Sequence, residues 1–226
     1  MFLAEVRLIM SEIWRIRDTI LRLCELHGAL CRNIRFNFST TFSNESRAIS
    51  NSILQHLVEI CVLFKMDFQK IVLAKMMINN IKYDATLACG MENISGGYEK
   101  YSFKTGITKK RGQSIFGTSE FGKFDFVLVE DRPLLDVGYL SKKAYEFAVI
   151  RKWQNGDLVR NLLFALSREI GELVEIYTWK SDEFVVIGQS DVDSTMSEIA
   201  DIAIYLLRLC RVVGYVPSID IDVQHI

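Results

Sequence analysis

Apolar residues recur at intervals of three and four along most of this chain, and that period commits it to helices. Leu162, Leu166, Ile170 and Leu173 form one stripe, which predicts a helix over residues 158–179. Ile199, Ile202, Leu206 and Leu209 form another and predict a helix over 194–213. Asp193 or Ser194 is its candidate cap, and Gly214 its natural stop. A further helix is expected over 141–153, ahead of a break at Asn155, Gly156 and Asp157. The same period runs through residues 5–84. One segment covers 6–35, a Ser-, Thr- and Asn-rich break follows, and a long stretch covers 47–83. That stretch is expected to break near Met66 and Asp67, with Asp67 capping the next helix. Only two prolines interrupt the chain, so the expected fold is all-α.

Residues 85–138 break the pattern. They hold most of the glycines, a basic run (Lys109, Lys110, Arg111) and a short β-like stretch, FDFVLVED. They read as a linker or irregular central insertion, partly disordered, between a half at 1–84 and a half at 139–226. The chain is half apolar, which is enough for a core, and its formal charge is −1. That balance argues against a broad electrostatic surface for nucleic acid. No apolar run approaches the roughly 20 residues that span a bilayer. The N-terminus lacks a signal-peptide pattern, so a cytoplasmic protein is expected. Cys24, Cys31, Cys61, Cys89 and Cys210 form no CxxC pair, and buried free thiols explain them better than disulfides or zinc. His27, His56 and His225 show no ligand spacing and receive no role.

Four carboxylates stand apart. Glu169 and Glu172 lie three apart on one expected helix, and Glu198 and Asp201 repeat the spacing on another. Residues three apart share a helix face, so four carboxylates from two packed helices can converge inside a bundle. Alone they repel, and each raises the others' pKa. A hard divalent cation removes that cost, and oxygen ligands suit Mg²⁺ or Mn²⁺. E-x-x-E on a helix usually marks a solvated face. Here each pair borders a strongly apolar stripe, and those stripes would bring the two helices together.

With these residues in place, the stretch RKWQNGDLVRNLLFALSREIGELVEIYTW, followed by SEIADIAIYLLRLCRVVG, resembles the MazG-like all-α NTP pyrophosphohydrolases. It is closest to their dCTP pyrophosphatase branch. That family carries R-x-W, then R-N-L, E-x-G-E-L-x-E, Q-W and E-L-x-D-x-x-x-Y-L. The matching positions are Arg151, Trp153, Arg160, Asn161, Leu162, Glu169, Gly171, Glu172, Leu173, Glu175, Trp179, Glu198, Asp201, Tyr205 and Leu206. The match covers residues 139–214. Asp157 stands where the dCTP branch has His, Val159 where a Pro usually precedes R-N, and Thr178 where Gln precedes the second Trp. These departures bear on the base and sugar pocket rather than on the carboxylates.

The resemblance implies a helical bundle that hydrolyses a nucleoside triphosphate to the monophosphate and pyrophosphate. It implies Mg²⁺, with Mn²⁺ as the alternative, on Glu169, Glu172, Glu198 and Asp201. Glu169, Glu172 and Glu175 become the catalytic carboxylates, with Glu172 or Glu175 orienting the attacking water. Trp153 and Trp179 would enclose the base, Tyr205 would bond substrate or a carboxylate, and Arg160 and Asn161 would reach sugar or phosphate.

Family members also carry a later helix reading K-x-x-x-N-x-x-K-Y. That motif is missing after Val213 but occurs in the first half as Lys75, Asn79, Lys82 and Tyr83. Residues 5–84 therefore read as a degenerate second copy. Matching Gly28 to Gly171 pairs Leu23 with Leu166, Leu30 with Leu173 and Phe36 with Trp179. Leu26 and Ala29 then stand opposite Glu169 and Glu172, and matching EICVLF (residues 59–64) to RLCRVV (residues 208–213) puts Ile49 and Ser52 opposite Glu198 and Asp201. The family works as dimers, so the expectation is a tandem pseudo-dimer or a homo-oligomer. Lys75, Asn79 and Lys82 would donate to the triphosphate from the first half. Two alternatives stand beside this reading. One is a catalytically inactive nucleotide- or protein-binding module; the other is a dUTPase-like or broad house-cleaning hydrolase of the same fold.

Overall fold

A computed structural model describes residues 2–36, 41–83, 135–180 and 187–219. Its helices are α1 (Phe2–Phe36), α2 (Asn44–Leu63), α3 (Phe68–Lys82), α4 (Val137–Ile150), α5 (Val159–Tyr177) and α6 (Gln189–Val212), with a 3₁₀ turn at Trp153–Asn155. No strand occurs among the described residues, so the fold is all-α. The linker reading, the basic run and FDFVLVED lie outside the described residues, apart from the start of α4.

Local chemistry sets most boundaries. Ser43 caps α2 by accepting from Ser46 N at 3.1 Å. Asp67 caps α3 by accepting from Lys70 N at 2.9 Å, as its position in the sequence suggests. Two starts differ from expectation. α4 begins at Val137 rather than Ser141, because the Asp136 carboxylate accepts from Tyr139 N at 2.8 Å. α6 begins at Gln189 rather than Ser194. There Asp191 reaches back to accept from Gly188 N at 3.1 Å, and Asp193 is buried inside the helix.

Helices α2 and α6 end alike. Lys65 (φ 56°) and Gly214 (φ 72°) both adopt the left-handed region. Met66 N donates to Cys61 O at 2.8 Å, and Tyr215 N donates to Cys210 O at 2.8 Å. Each bond closes the last turn over a left-handed residue.

Packing follows the stripes. α1 lies against α2, and α5 against α6. α6 is the central helix and also touches α2, α3 and α4. Ile199, Ala200, Ile202, Ala203, Leu206, Leu207, Leu209 and Cys210 are all fully buried, the signature of a helix surrounded on all sides. One core joins Leu23 and Leu30 of α1, Ile53 and Leu57 of α2, and Val72 of α3 to Leu140, Leu166, Leu173 and Ile199. Each such side chain contributes about 1.5–3 kcal/mol on burial, so the two halves stabilise each other. Arg151 fastens them at one end. Its guanidinium is 3% exposed and donates to Tyr83 O at 2.7 Å, Phe147 O at 3.0 Å and Asn80 Oδ1.

Candidate active site

The apolar stripe of α5 carries Glu169 inward. Set between Leu166, Ile170 and Leu173, it is 1% exposed. α6 supplies Glu198, 6% exposed, and Asp201. One carboxylate oxygen from each of Glu169, Glu198 and Asp201 lies within 4.8 Å of the others. Burial pushes the Glu169 carboxyl above its ordinary range, and the charge of Asp201 pushes it further. Its Oε2 atom is buried without a hydrogen-bond partner, a state that costs about 1–3 kcal/mol. A hard divalent cation on this oxygen-only donor set would remove both penalties.

Glu172 sits apart from these three. Its side chain is 32% exposed, and Arg168 Nη1 lies 3.4 Å away. Arg168 also donates to Glu169 Oε1 at 2.6 Å, so one guanidinium links the two glutamates. Glu175 is exposed on α5.

Asp201 is held from the other half of the chain. Lys75 Nζ lies 2.7 Å from Asp201 Oδ2 and also donates to Ser197 Oγ. Asn79 Nδ2 donates to Asp201 Oδ1 at 3.3 Å. Lys75 is 4% exposed, so an uncompensated charge there would be expensive, and Asp201 compensates it. Lys82 is exposed, 4.8 Å above the Tyr83 ring.

Tyr205 follows Asp201 by one turn. Burial raises its phenol pKa well beyond the ordinary range, and the charge of Glu169 adds to this. The Arg208 guanidinium lies 5.3 Å from the Tyr205 ring and 5.7 Å from the Trp153 ring. Arg208 is itself fixed by Asp157: Nε donates to Oδ2 at 3.1 Å and Nη2 to Oδ1, with both residues buried. Trp153 is half-buried, edge-on to Tyr83 at 5.4 Å and to Phe147 at 5.7 Å. Trp179 is 93% exposed just beyond α5, so within this chain it encloses nothing. Arg160 and Asn161 are exposed on the first turn of α5, where Asn161 Nδ2 donates to Gly156 O at 3.0 Å.

The structure therefore brings Glu169, Glu198, Asp201, Lys75 and Asn79 together, with Tyr205 beside them. It leaves Glu175, Lys82, Arg160, Asn161 and Trp179 on the surface. Ser197, Arg168 and Arg208 were not expected. Ser197 precedes Glu198 and Arg168 precedes Glu169, and adjacency was the available signal. Arg208 carries no local mark.

Comparison with known proteins gives partial matches. The chain is 34% identical over 108 residues to dCTP pyrophosphatase 1 of Bos taurus, covering 45% of this chain and 59% of that protein. It is 42% identical over 73 residues to dCTP pyrophosphatase 1 of Homo sapiens, covering 30% and 43%. The Rattus norvegicus protein of the same name is 39% identical over 67 residues, covering 28% and 39%. The chain thus spans about half the length of the curated relatives it matches, and over that part it is related to dCTP pyrophosphatases. No family model matches it, and no solved structure matches it significantly. No helix among the described residues is long and apolar enough to cross a membrane.

Proposed function

We propose that this chain is a divalent-metal-dependent nucleoside triphosphate pyrophosphohydrolase of the dCTP pyrophosphatase type. It converts a (deoxy)nucleoside triphosphate to the monophosphate and pyrophosphate. The observation that carries this reading is the convergence of Glu169, Glu198 and Asp201 within 4.8 Å, with Lys75 of the other half already at Asp201. Buried like charges with an orphaned oxygen need a cation, and a polyphosphate needs the cationic donor.

Glu169, Glu198 and Asp201 would hold Mg²⁺ or Mn²⁺. When bound, the ion neutralises phosphate charge and polarises the reacting phosphorus. Lys75 and Asn79 orient the phosphates through charge-assisted and amide donors. A water oxygen attacks the α-phosphorus, and the bond to the bridging oxygen of the β-phosphate breaks. Pyrophosphate leaves with the electron pair, and the water proton passes to a carboxylate. Glu172 suits that task, because it stands outside the cluster of three carboxylates and is partly exposed. Trp153 and Tyr205 form the base end.

The same proposal reads the chain as a tandem pseudo-dimer with one working site. Several positions support it. Leu23 and Leu166 are both fully buried, as are Leu30 and Leu173, Ile53 and Ile202, and Cys61 and Cys210. The shared ends of α2 and α6 fall at matching positions, Lys65 and Gly214. In this arrangement α3 serves the carboxylates of α5 and α6 from within the chain.

Asp157, engaged by Arg208, favours a second reading within the same chemistry. The dCTP branch has His at that position, so a different base preference belongs to this pocket. The test is pyrophosphate release from a panel of canonical and modified dNTPs and NTPs with Mg²⁺, beside Glu169→Ala. Release that disappears in the variant supports the enzyme, and the substrate ranking assigns the base. No release from any nucleotide overturns it in favour of a binding module.

A further inference from the structure

A cavity of about 380 Å³ is lined by Arg22, Glu25 and Leu26 of α1 and by Ser52 and His56 of α2. Its place in the tandem is specific. The registers that pair Leu23 with Leu166 and Cys61 with Cys210 also pair Leu26 with Glu169, Ser52 with Asp201 and His56 with Tyr205. Glu25 pairs with Arg168. On the tandem reading proposed above, the cavity is the counterpart of the candidate active site, in the copy without carboxylates at the ligand positions.

Its chemistry is changed rather than erased. An apolar side chain and a hydroxyl replace the buried carboxylates, so a polyanion meets no cluster of negative charge. Arg22 offers a planar fork suited to phosphate oxygens. Its present partner is Glu25, at 3.7 Å, and the two side chains are 61% and 71% exposed. Exposed pairs of this kind are weak, so a phosphate can exchange for the carboxylate. His56 Nδ1 donates to Ser52 O at 2.8 Å, which leaves Nε2 as an acceptor for a ligand's amino or hydroxyl group rather than for its phosphate. Leu26 supplies an apolar wall.

We propose that this cavity is a second nucleotide site that binds a nucleoside phosphate without a metal ion. The inference rests on the tandem reading above, not on catalysis. The test is equilibrium titration of the full chain with dCTP in excess EDTA, where the carboxylates of the active site repel the ligand. Saturable binding is expected. It should weaken about tenfold or more in Arg22→Glu, which reverses the charge of the phosphate-binding fork. Arg22 is exposed, so its replacement leaves the core intact. Absence of saturable binding in EDTA overturns the proposal. So does equal binding by Arg22→Glu, which would place the ligand elsewhere on the chain. A failure of hydrolysis with Mg²⁺ would sink the enzyme reading and leave this binding measurement standing.

Discussion

Lys75 Nζ lies 2.7 Å from Asp201 Oδ2, although the two residues come from helices on opposite sides of the central segment. With Asn79 on the other oxygen, α3 holds both acceptor atoms of a carboxylate in the candidate metal cluster. The lysine compensates Asp201 when no cation is present, and in the function proposed above it also donates to the triphosphate.

Replacing Lys75 with Ala should therefore cost more than a surface charge would. Loss of one pre-positioned donor commonly lowers kcat about 10²–10³-fold, and a fall of that order is expected here. Steady-state pyrophosphate release with Mg²⁺ measures it. An unchanged kcat/KM would detach α3 from the reaction.

Glu169 is a source of instability in the cation-free protein. Its Oε2 atom is buried without a partner, close to Glu198 and Asp201. In Glu169→Gln the repulsion disappears, and the amide N–H₂ can donate to a neighbouring carboxylate. Stability in EDTA should rise by about 1 kcal/mol. Mg²⁺ is expected to raise the Tm of the wild type, and that rise should shrink in the variant. Thermal unfolding with and without metal reads both effects, and a variant less stable than wild type in EDTA would contradict the account.

The pH dependence follows with a definite sign. Burial first, and the charge of Asp201 second, hold the Glu169 carboxyl above its ordinary 4.5. The folded chain then binds this proton more tightly than the unfolded chain. Stability from this group is present below 4.5 and is lost as pH rises from there through the higher folded value. In EDTA, the advantage of Glu169→Gln over wild type should be small at the acid end of that window and grow above it. Urea melts across pH check this, and a constant difference would mean that Glu169 titrates normally.

Much of this was legible in the sequence because the relevant forces act locally. The Leu166, Ile170 and Leu173 stripe placed Glu169 at a buried edge, and Asp67 advertised a cap. The K-x-x-x-N motif put Lys75 and Asn79 on one face of α3. Other features depend on partners that a local reading does not reach. Residues three apart share a face but not a depth, so Glu169 is buried while Glu172, one turn on, is 32% exposed. The start of α6 rests on Asp191 bonding back to Gly188 N, a cap placed inside the helix rather than before it. Arg208 looks like any polar residue on an apolar helix until Asp157 is seen opposite it.

The matching ends of α2 and α6 give a prediction about stability alone. Lys65 adopts φ 56°, where Gly214 adopts 72°. A side chain in the left-handed region costs about 1–2 kcal/mol. Glycine avoids that strain but has more freedom to lose on folding. Lys65→Gly should therefore stabilise by a few tenths to about 1 kcal/mol, and Gly214→Ala should destabilise by about 1 kcal/mol. Denaturant unfolding of both variants measures the pair, and opposite signs are the expected outcome.

Asp157 and Arg208 form a different kind of contact, because both are buried and the bond is two-pronged. Removing one partner of such a pair leaves the other charged and dry, at about 3–5 kcal/mol. Asp157→Ala should destabilise on that scale. The double variant Asp157→Ala/Arg208→Ala should cost less than the sum of the single changes, since no orphaned charge remains. A second readout separates packing from function. Arg208 lies 5.7 Å from the Trp153 ring and 5.3 Å from the Tyr205 ring, so the pair fixes the two aromatic groups proposed to hold the base. If that is its task, the double variant should raise KM more than it lowers kcat and should flatten the ranking of substrates by base. A ranking unchanged in the folded double variant would confine the pair to holding the turn against α6.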